Sequence, residues 1–79
     1  MKIQILGSGC AKCRQLEENA RLAVAKAGIE AEVEKVTDID QIVSFGVMMT
    51  PALVIDGQVK TVGKILTVDQ IGKLLSEQP

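Results

Sequence analysis

The residues best suited to chemistry are two cysteines three positions apart, Cys10 and Cys13, in the segment LGSGCAKC of residues 6–13. The sequence contains no further cysteine and no histidine. Without histidine, Ser–His and Cys–His nucleophilic catalysis is excluded, and the commonest protein ligand for metal ions is missing. The pair leaves three interpretations open: a redox couple, part of a metal site, or two small apolar residues packed in a turn.

Among metals, zinc is poorly supported, because a structural zinc ion takes four protein ligands and this chain offers two thiols. A linear Cu(I) site with two thiolates is compatible with the pair, since soft thiolates select that ion. A CxxC carrier of Cu(I) therefore stays an alternative. So does a binding module in which the two cysteines play no part.

Composition indicates one domain over residues 1–79, with 47% hydrophobic residues and a net charge of −1. That charge and the single aromatic residue argue against nucleic-acid binding. The N-terminal apolar run is too short for a signal peptide, and no segment reaches membrane-spanning length, so we expect a cytoplasmic protein without membrane contact. In that reducing compartment a CxxC pair is typical of catalysis or metal binding rather than of a structural disulfide.

The pattern of apolar residues predicts strands at residues 2–6, 29–36, 52–55 and 58–62. The last two strands are joined by Asp56-Gly57, a strong hairpin signal. The first two are separated by a long helix, so we expect them to be parallel. The 29–36 segment alternates with charges outward, as an edge strand does, whereas 52–55 is wholly apolar, as a strand covered on both faces should be.

Three helices complete the order β-α-β-α-β-β-α and should cover both faces of a four-stranded mixed sheet. The first is expected at residues 11–27. A short second helix is capped by Thr37 and runs through Phe45, and the third follows a Thr67–Gln70 capping box. The residues expected to face inward from the first two helices are Cys13, Leu16, Ala20, Ala23, Val24 and Ala27, then Ile39, Ile42 and Val43.

This order puts Cys10 between the first strand and the first helix, where unpaired backbone N–H groups and the helix dipole favour a thiolate. Cysteines in such CxxC motifs have pKa values lowered from about 8.5 to roughly 3.5–7.5. We assign Cys10 as the attacking nucleophile and Cys13, one turn into the helix, as the resolving thiol. Supporting roles fall to Ala11 and Lys12 within the motif, the latter through its charge, and to Ser8 through hydrogen bonding.

A second motif, GVMMTPALVIDG over residues 46–57, places Pro51 directly before the apolar third strand. With the upstream CxxC pair and this element order, the whole chain resembles the thioredoxin/glutaredoxin superfamily. It is most similar to the small thioredoxin-like "redox-active disulfide" proteins of archaea and anaerobic bacteria. The resemblance implies a minimal thioredoxin-like fold and a small thiol–disulfide oxidoreductase. Such a protein transfers electrons by cycling a Cys10–Cys13 disulfide, contributes to cell redox homeostasis, and needs no bound cofactor or metal.

The resemblance also implies roles around the cysteines. Pro51 would follow a cis peptide bond, shape the substrate groove and keep metal ions off the thiols. The backbone of Thr50 would pair with an extended substrate segment, as in strand addition. Gly63 would leave room for the substrate, and Met49, like Met48, would supply either an adaptable apolar contact or core packing.

The partners implied are disulfide-containing protein substrates and a thioredoxin-reductase-type flavoenzyme. Nothing in the sequence predicts oligomerisation, so we expect a monomer. A glutaredoxin-like protein that uses glutathione is the first alternative. The chain departs from larger thioredoxins in two places. Ala11-Lys12 stands where they carry Gly-Pro, and Gln4 stands where they carry a buried acid that assists proton transfer.

Overall fold

The structure is a computed structural model that describes residues 1–7 and 11–77. Its elements follow the predicted order, and their bounds are β1 (Lys2–Leu6), α1 (Ala11–Ala27), β2 (Glu32–Val36), α2 (Ile39–Ser44), β3 (Ala52–Ile55), β4 (Gln58–Val62) and α3 (Val68–Ser76). The strands form one mixed sheet in the order β2-β1-β3-β4, with β1 parallel to β2 and antiparallel to β3. The predicted α/β class, hairpin and mixed sheet are confirmed.

The larger core lies between the sheet and the helices α1 and α3. It contains inward residues of the two central strands, of α1 and of α3, namely Ile3, Ile5, Leu16, Ala20, Ala23, Leu53, Ile55, Ile71 and Leu75, with Leu66 from the preceding loop. The Asn19 side-chain amide donates to the Leu66 carbonyl at 2.8 Å and so holds that loop onto α1.

The second core lies on the opposite face of the sheet, beneath α2. Its residues are Leu6, Val36, Ile42, Val47, Ala52 and Val54. All four residues of β3 are buried because consecutive side chains point into the two cores in turn. Helices therefore cover both faces of the sheet, as the apolar run at residues 52–55 indicates.

Helix α2 departs from the sequence-based expectation in its cap and in its buried face. The N-cap is Asp38, whose carboxylate accepts from the Asp40 N–H at 2.9 Å, so the prediction that Thr37 caps this helix is wrong. Ile42 is buried, but Ile39 and Val43, also predicted to face inward, are 69% and 60% exposed. A helix of six residues makes less than two turns, and only one side chain reaches the sheet.

The structure also differs from the sequence-based prediction at the start of β2 and at the last residue of α1. β2 begins at Glu32, so residues 29–31 belong to the connection after α1 rather than to the strand. Ala27, predicted on the inward face of α1, is the last residue of that helix and is exposed. In the parts of the chain that the structure describes, no helix is both long and apolar enough to cross a membrane.

The hairpin turn also secures the first strand. Asp56 and Gly57 have φ values of 49° and 83°, as the two central residues of a type I′ turn require. The Asp56 carboxylate accepts from the Lys2 N–H at 2.8 Å, and the Asp56 N–H donates to the Lys2 carbonyl at 2.8 Å.

α3 begins with the predicted capping box, in which the Thr67 hydroxyl accepts from the Gln70 N–H at 3.1 Å.

Candidate functional site

The site lies where β1 ends and α1 begins. The Gly7 N–H donates to the Val36 carbonyl at 2.9 Å, which extends the pairing of β1 with β2 by one residue. Helix α1 starts at Ala11, and both Ala11 and Lys12 are exposed on its first turn. The predicted nucleophile Cys10 and the supporting Ser8 lie outside the described residues.

The second motif cysteine is buried against the end of β1. Cys13 is 3% exposed and points inward from the first turn of α1. A β-carbon added at Gly7 would overlap the Cys13 Sγ and would lie 3.1 Å from the Cys13 Cβ. The same position is 3.8 Å from the Thr50 Cβ. The structure therefore brings Cys13 and Thr50, distant in sequence, to the same glycine.

Beside Cys13 stands the loop that precedes β3. The Thr50–Pro51 peptide bond is cis, Pro51 is fully buried, and Thr50 is exposed. The Pro51 carbonyl accepts from the Gly63 N–H at 2.8 Å, one step beyond the Ala52–Val62 pair of the β3–β4 ladder. This bond fixes Gly63 next to Pro51.

Met49 covers Gly63. The Met49 Cε lies 3.2 Å from the position that a β-carbon at residue 63 would occupy, and its Sδ lies 3.8 Å away. The Met49 side chain is nevertheless 62% exposed. The surface beside Gly63, where we expect the substrate to bind, is thus formed by the Met49 thioether.

An apolar groove of about 360 Å³ adjoins the same loop. Its lining residues come from α2 and from the loop that follows it: Ile39, Ile42, Val43, Val47, Met48 and Thr50. Sequence reasoning missed this groove because it assigned Ile39 and Val43 to the core. No signal in the sequence separates these residues, because the i, i+3, i+4 spacing of Ile39, Ile42 and Val43 puts all three on one helical face.

Gln4, which stands where larger thioredoxins carry a buried acid, is on the other side of the sheet from Cys13. Ile3 and Ile5 point into the core beneath α1, and Leu6 points into the core beneath α2. By the alternation of side chains along a strand, Gln4 shares the α2 face with Leu6. The Gln4 side chain is half-buried there and faces away from the helix that carries Cys13.

No buried acid lies near Cys13 in the described part of the chain. Among the residues that the structure describes, no charged or polar side chain is buried, so no buried carboxylate stands beside the thiol. Across the same residues, no three His, Cys, Asp or Glu side chains come close enough together to hold a metal ion. Proton transfer at Cys13 therefore has no buried acid within the described structure to assist it.

A buried cysteine on the first turn of a helix, beside a cis-proline loop at the ends of the central strands of a four-stranded mixed sheet, defines the class of thioredoxin-fold thiol–disulfide oxidoreductases. The family model described as "Thioredoxin domain" matches residues 1–76. A curated protein named thioredoxin from Methanothermobacter thermautotrophicus is 49% identical over 76 residues, covering 96% of this chain and 99% of that protein.

A second curated thioredoxin, from Methanocaldococcus jannaschii, is 44% identical over 69 residues, covering 87% of this chain and 79% of that protein. The chain belongs to the thioredoxin family. It is accordingly a thiol–disulfide oxidoreductase, as the resemblance of its motifs implies.

Proposed function

We propose that residues 1–79 act as a single thioredoxin-like domain that reduces protein disulfides, with Cys10 as nucleophile and Cys13 as resolving thiol. The Cys10 thiolate bonds to one substrate sulfur as the substrate S–S bond breaks, and the second substrate sulfur leaves as a thiolate that takes up a proton. Cys13 then loses its proton and attacks the Cys10 sulfur, which releases the first substrate sulfur. The pair loses the two electrons that the substrate gains, so no bound cofactor takes part.

The observation that carries this order of attack is the burial of Cys13, which is 3% exposed. A thiol enclosed between α1 and the end of β1 is inaccessible to a disulfide on another protein. A neighbouring sulfur of the same chain, three positions upstream, can reach it once a mixed disulfide has formed. The burial of Cys13 therefore supports Cys10 as the residue that meets the substrate first.

The apolar surface around Pro51 supports proteins, rather than glutathione, as the substrates. Met49 covers Gly63 beside this loop, and the groove lined by Ile39 and Met48 includes Thr50 of the same loop. Contiguous exposed apolar surface is typical of sites that bind other proteins. An extended substrate segment would lie along the exposed Thr50 and pair with its backbone.

A flavoenzyme of the thioredoxin-reductase type would return electrons to the Cys10–Cys13 disulfide. The protein would act as a cytoplasmic monomer. The metal-binding alternative requires Cu(I) held by the two thiolates, and tight stoichiometric Cu(I) binding without reductase activity would decide in its favour.

Reduction of a protein disulfide by the wild type, Cys10→Ser and Cys13→Ser tests the assignment of roles. We expect Cys10→Ser to be inactive at both steps. Cys13→Ser should accumulate a mixed disulfide that mass spectrometry detects as a covalent adduct on Cys10. Full turnover by Cys10→Ser, or an adduct on Cys13 in that variant, would contradict the proposal.

The reductant is tested separately on the oxidised wild type. The rate of Cys10–Cys13 reduction by a thioredoxin-reductase-type flavoenzyme is compared with the rate with glutathione at matched reducing potential. We expect the flavoenzyme to be faster. A faster reaction with glutathione would assign the protein to the glutaredoxin-like alternative.

A further inference from the structure

Gly7 is required for space rather than for backbone conformation. The described glycines with positive φ are Gly28, Gly46, Gly57 and Gly63, and Gly7 is not one of them. An L residue could therefore adopt the Gly7 backbone, but its β-carbon would overlap the Cys13 Sγ. The cysteine sulfur occupies the place that a side chain at residue 7 would take.

Neither side of this contact is free to move away. The Gly7 backbone is held by its N–H donation to the Val36 carbonyl at 2.9 Å, directly after Leu6 pairs with both neighbouring strands. On the other side, α1 is held in the larger core by Leu16 and Ala20, both fully buried. A side chain at residue 7 would have to displace the sulfur, because the strand and the helix are both fixed.

We propose that Gly7 is a positioning residue for the resolving step, since its missing side chain sets how deeply the Cys13 sulfur lies against β1. This inference rests on the assignment of Cys13 as the resolving thiol. A methyl group at residue 7 would rotate the Cys13 Sγ away from its position against β1 and change its approach to the Cys10 sulfur. The first attack by Cys10 on the substrate does not involve this contact.

The Thr50 contact cannot account for the effect. Thr50 Cβ lies 3.8 Å from the position of a β-carbon at residue 7, which is ordinary van der Waals contact, whereas the Cys13 Sγ is overlapped. An added methyl group would thus be accepted by the Pro51 loop and opposed by the thiol. The redox pair itself is the part of the site that responds.

The test compares Gly7→Ala with Gly72→Ala, which adds the same methyl group on α3 where no atom lies within 4 Å. Single-turnover kinetics separate formation of the mixed disulfide from its resolution, and a redox titration gives the potential of the pair. We expect resolution in Gly7→Ala to slow by about tenfold or more, since small misplacements of reacting groups are costly. Formation of the mixed disulfide should stay within about twofold of wild type, and Gly72→Ala should match wild type in every measurement.

A double-variant comparison tests the contact itself. Urea denaturation of Gly7→Ala is measured with Cys13 present and in a Cys13→Ala background, where the overlapped sulfur is gone. We expect the Gly7→Ala change to be less destabilising in that background. If Gly7→Ala alone fails to fold, recovery of the fold in the double variant supports the contact, and failure of the double variant as well overturns it.

The outcomes separate the inference from the proposed function. If Cys13→Ser accumulates the mixed disulfide but Gly7→Ala resolves it at the wild-type rate and potential, the role of Gly7 is refuted and the roles of the cysteines stand. If Cys13→Ser turns over normally, the proposed function fails first, and the Gly7 inference fails with it.

Discussion

The Met49 side chain lies across Gly63, with its Cε 3.2 Å from the place where a β-carbon at residue 63 would stand. Gly63 is in turn hydrogen-bonded to the carbonyl of Pro51. The exposed thioether thus forms the outer surface of the cis-proline loop. Because methionine is unbranched and adaptable, this surface can reshape around different substrate side chains.

We predict that Met49→Ala weakens binding of protein disulfides without slowing chemistry. Removing an apolar contact worth about 1 kcal/mol should raise KM by about fivefold, while kcat changes by less than about twofold. Steady-state kinetics with a protein disulfide substrate measure both constants. Leu22→Ala is the matched control, because Leu22 is 51% exposed on the outer face of α1, and its KM should equal that of wild type. A fall in kcat at unchanged KM would contradict this role for Met49.

Gly63→Ala should be more destabilising than Gly28→Ala. Both glycines have positive φ, 72° and 66°, so each alanine carries a backbone cost of about 1–2 kcal/mol. Only at residue 63 does the new methyl group also crowd a neighbour, Met49. Urea denaturation gives the two free energies of unfolding. Adding Met49→Ala should bring the Gly63→Ala loss close to that of Gly28→Ala, and an unchanged loss would show that Met49 is not the neighbour concerned.

Replacing isoleucine with alanine at two positions of α2 should change the free energy of unfolding by very different amounts. Ile42 is 7% exposed and packs in the core beneath α2, so Ile42→Ala should cost about 2–4 kcal/mol of unfolding free energy. Ile39→Ala, on an exposed residue of the groove, should stay within about 0.5 kcal/mol of wild type. Thermal or urea unfolding checks both. Comparable losses at the two positions would mean that α2 packs through a different face.

Two threonines contrast a buried hydroxyl group without a hydrogen-bond partner in the described structure with an exposed one that caps a helix. The Thr61 Oγ1 is buried and has no hydrogen-bond partner within the described structure, so Thr61→Val should leave stability unchanged or raise it by up to about 1 kcal/mol. The Thr67 hydroxyl accepts from the Gln70 N–H, so Thr67→Val should cost about 1 kcal/mol. Unfolding free energies measured in one denaturant series decide the comparison. A loss at Thr61 as large as that at Thr67 would reveal a partner for its hydroxyl.

Long elements, and strands buried on both faces, could be predicted from the sequence because several residues in each of them indicate the same structure. The four apolar residues of β3 indicate a buried strand, and Asp56-Gly57 indicates a two-residue hairpin turn. The structure shows both. Helix α2 could not be predicted as well. Thr37 and Asp38 are both suitable N-caps, and a six-residue helix has too few apolar positions to define its buried face.

The residues of the candidate site could be named from the sequence, but their contacts could not be predicted. Cys13 and Thr50 could be named from motifs, yet nothing in the sequence says that Gly7 lies under the Cys13 sulfur or that Met49 fills the side of Gly63. Such contacts depend on how a helix is seated on a strand, which is a matter of tenths of an ångström. Periodicity determines which face a residue occupies and carries no information at that scale.

The two hydrogen bonds between Lys2 and Asp56 fix the register of β1 against the hairpin. Register matters at the other end of that strand, because a slip of one residue would turn every side chain to the opposite face. A residue with a side chain would then meet the Cys13 sulfur in place of Gly7. The Asp56 carboxylate, at the far end of β1, is thus one of the groups that keep Gly7 opposite the Cys13 sulfur, and we expect substitutions at Asp56 to be felt at the other end of the strand.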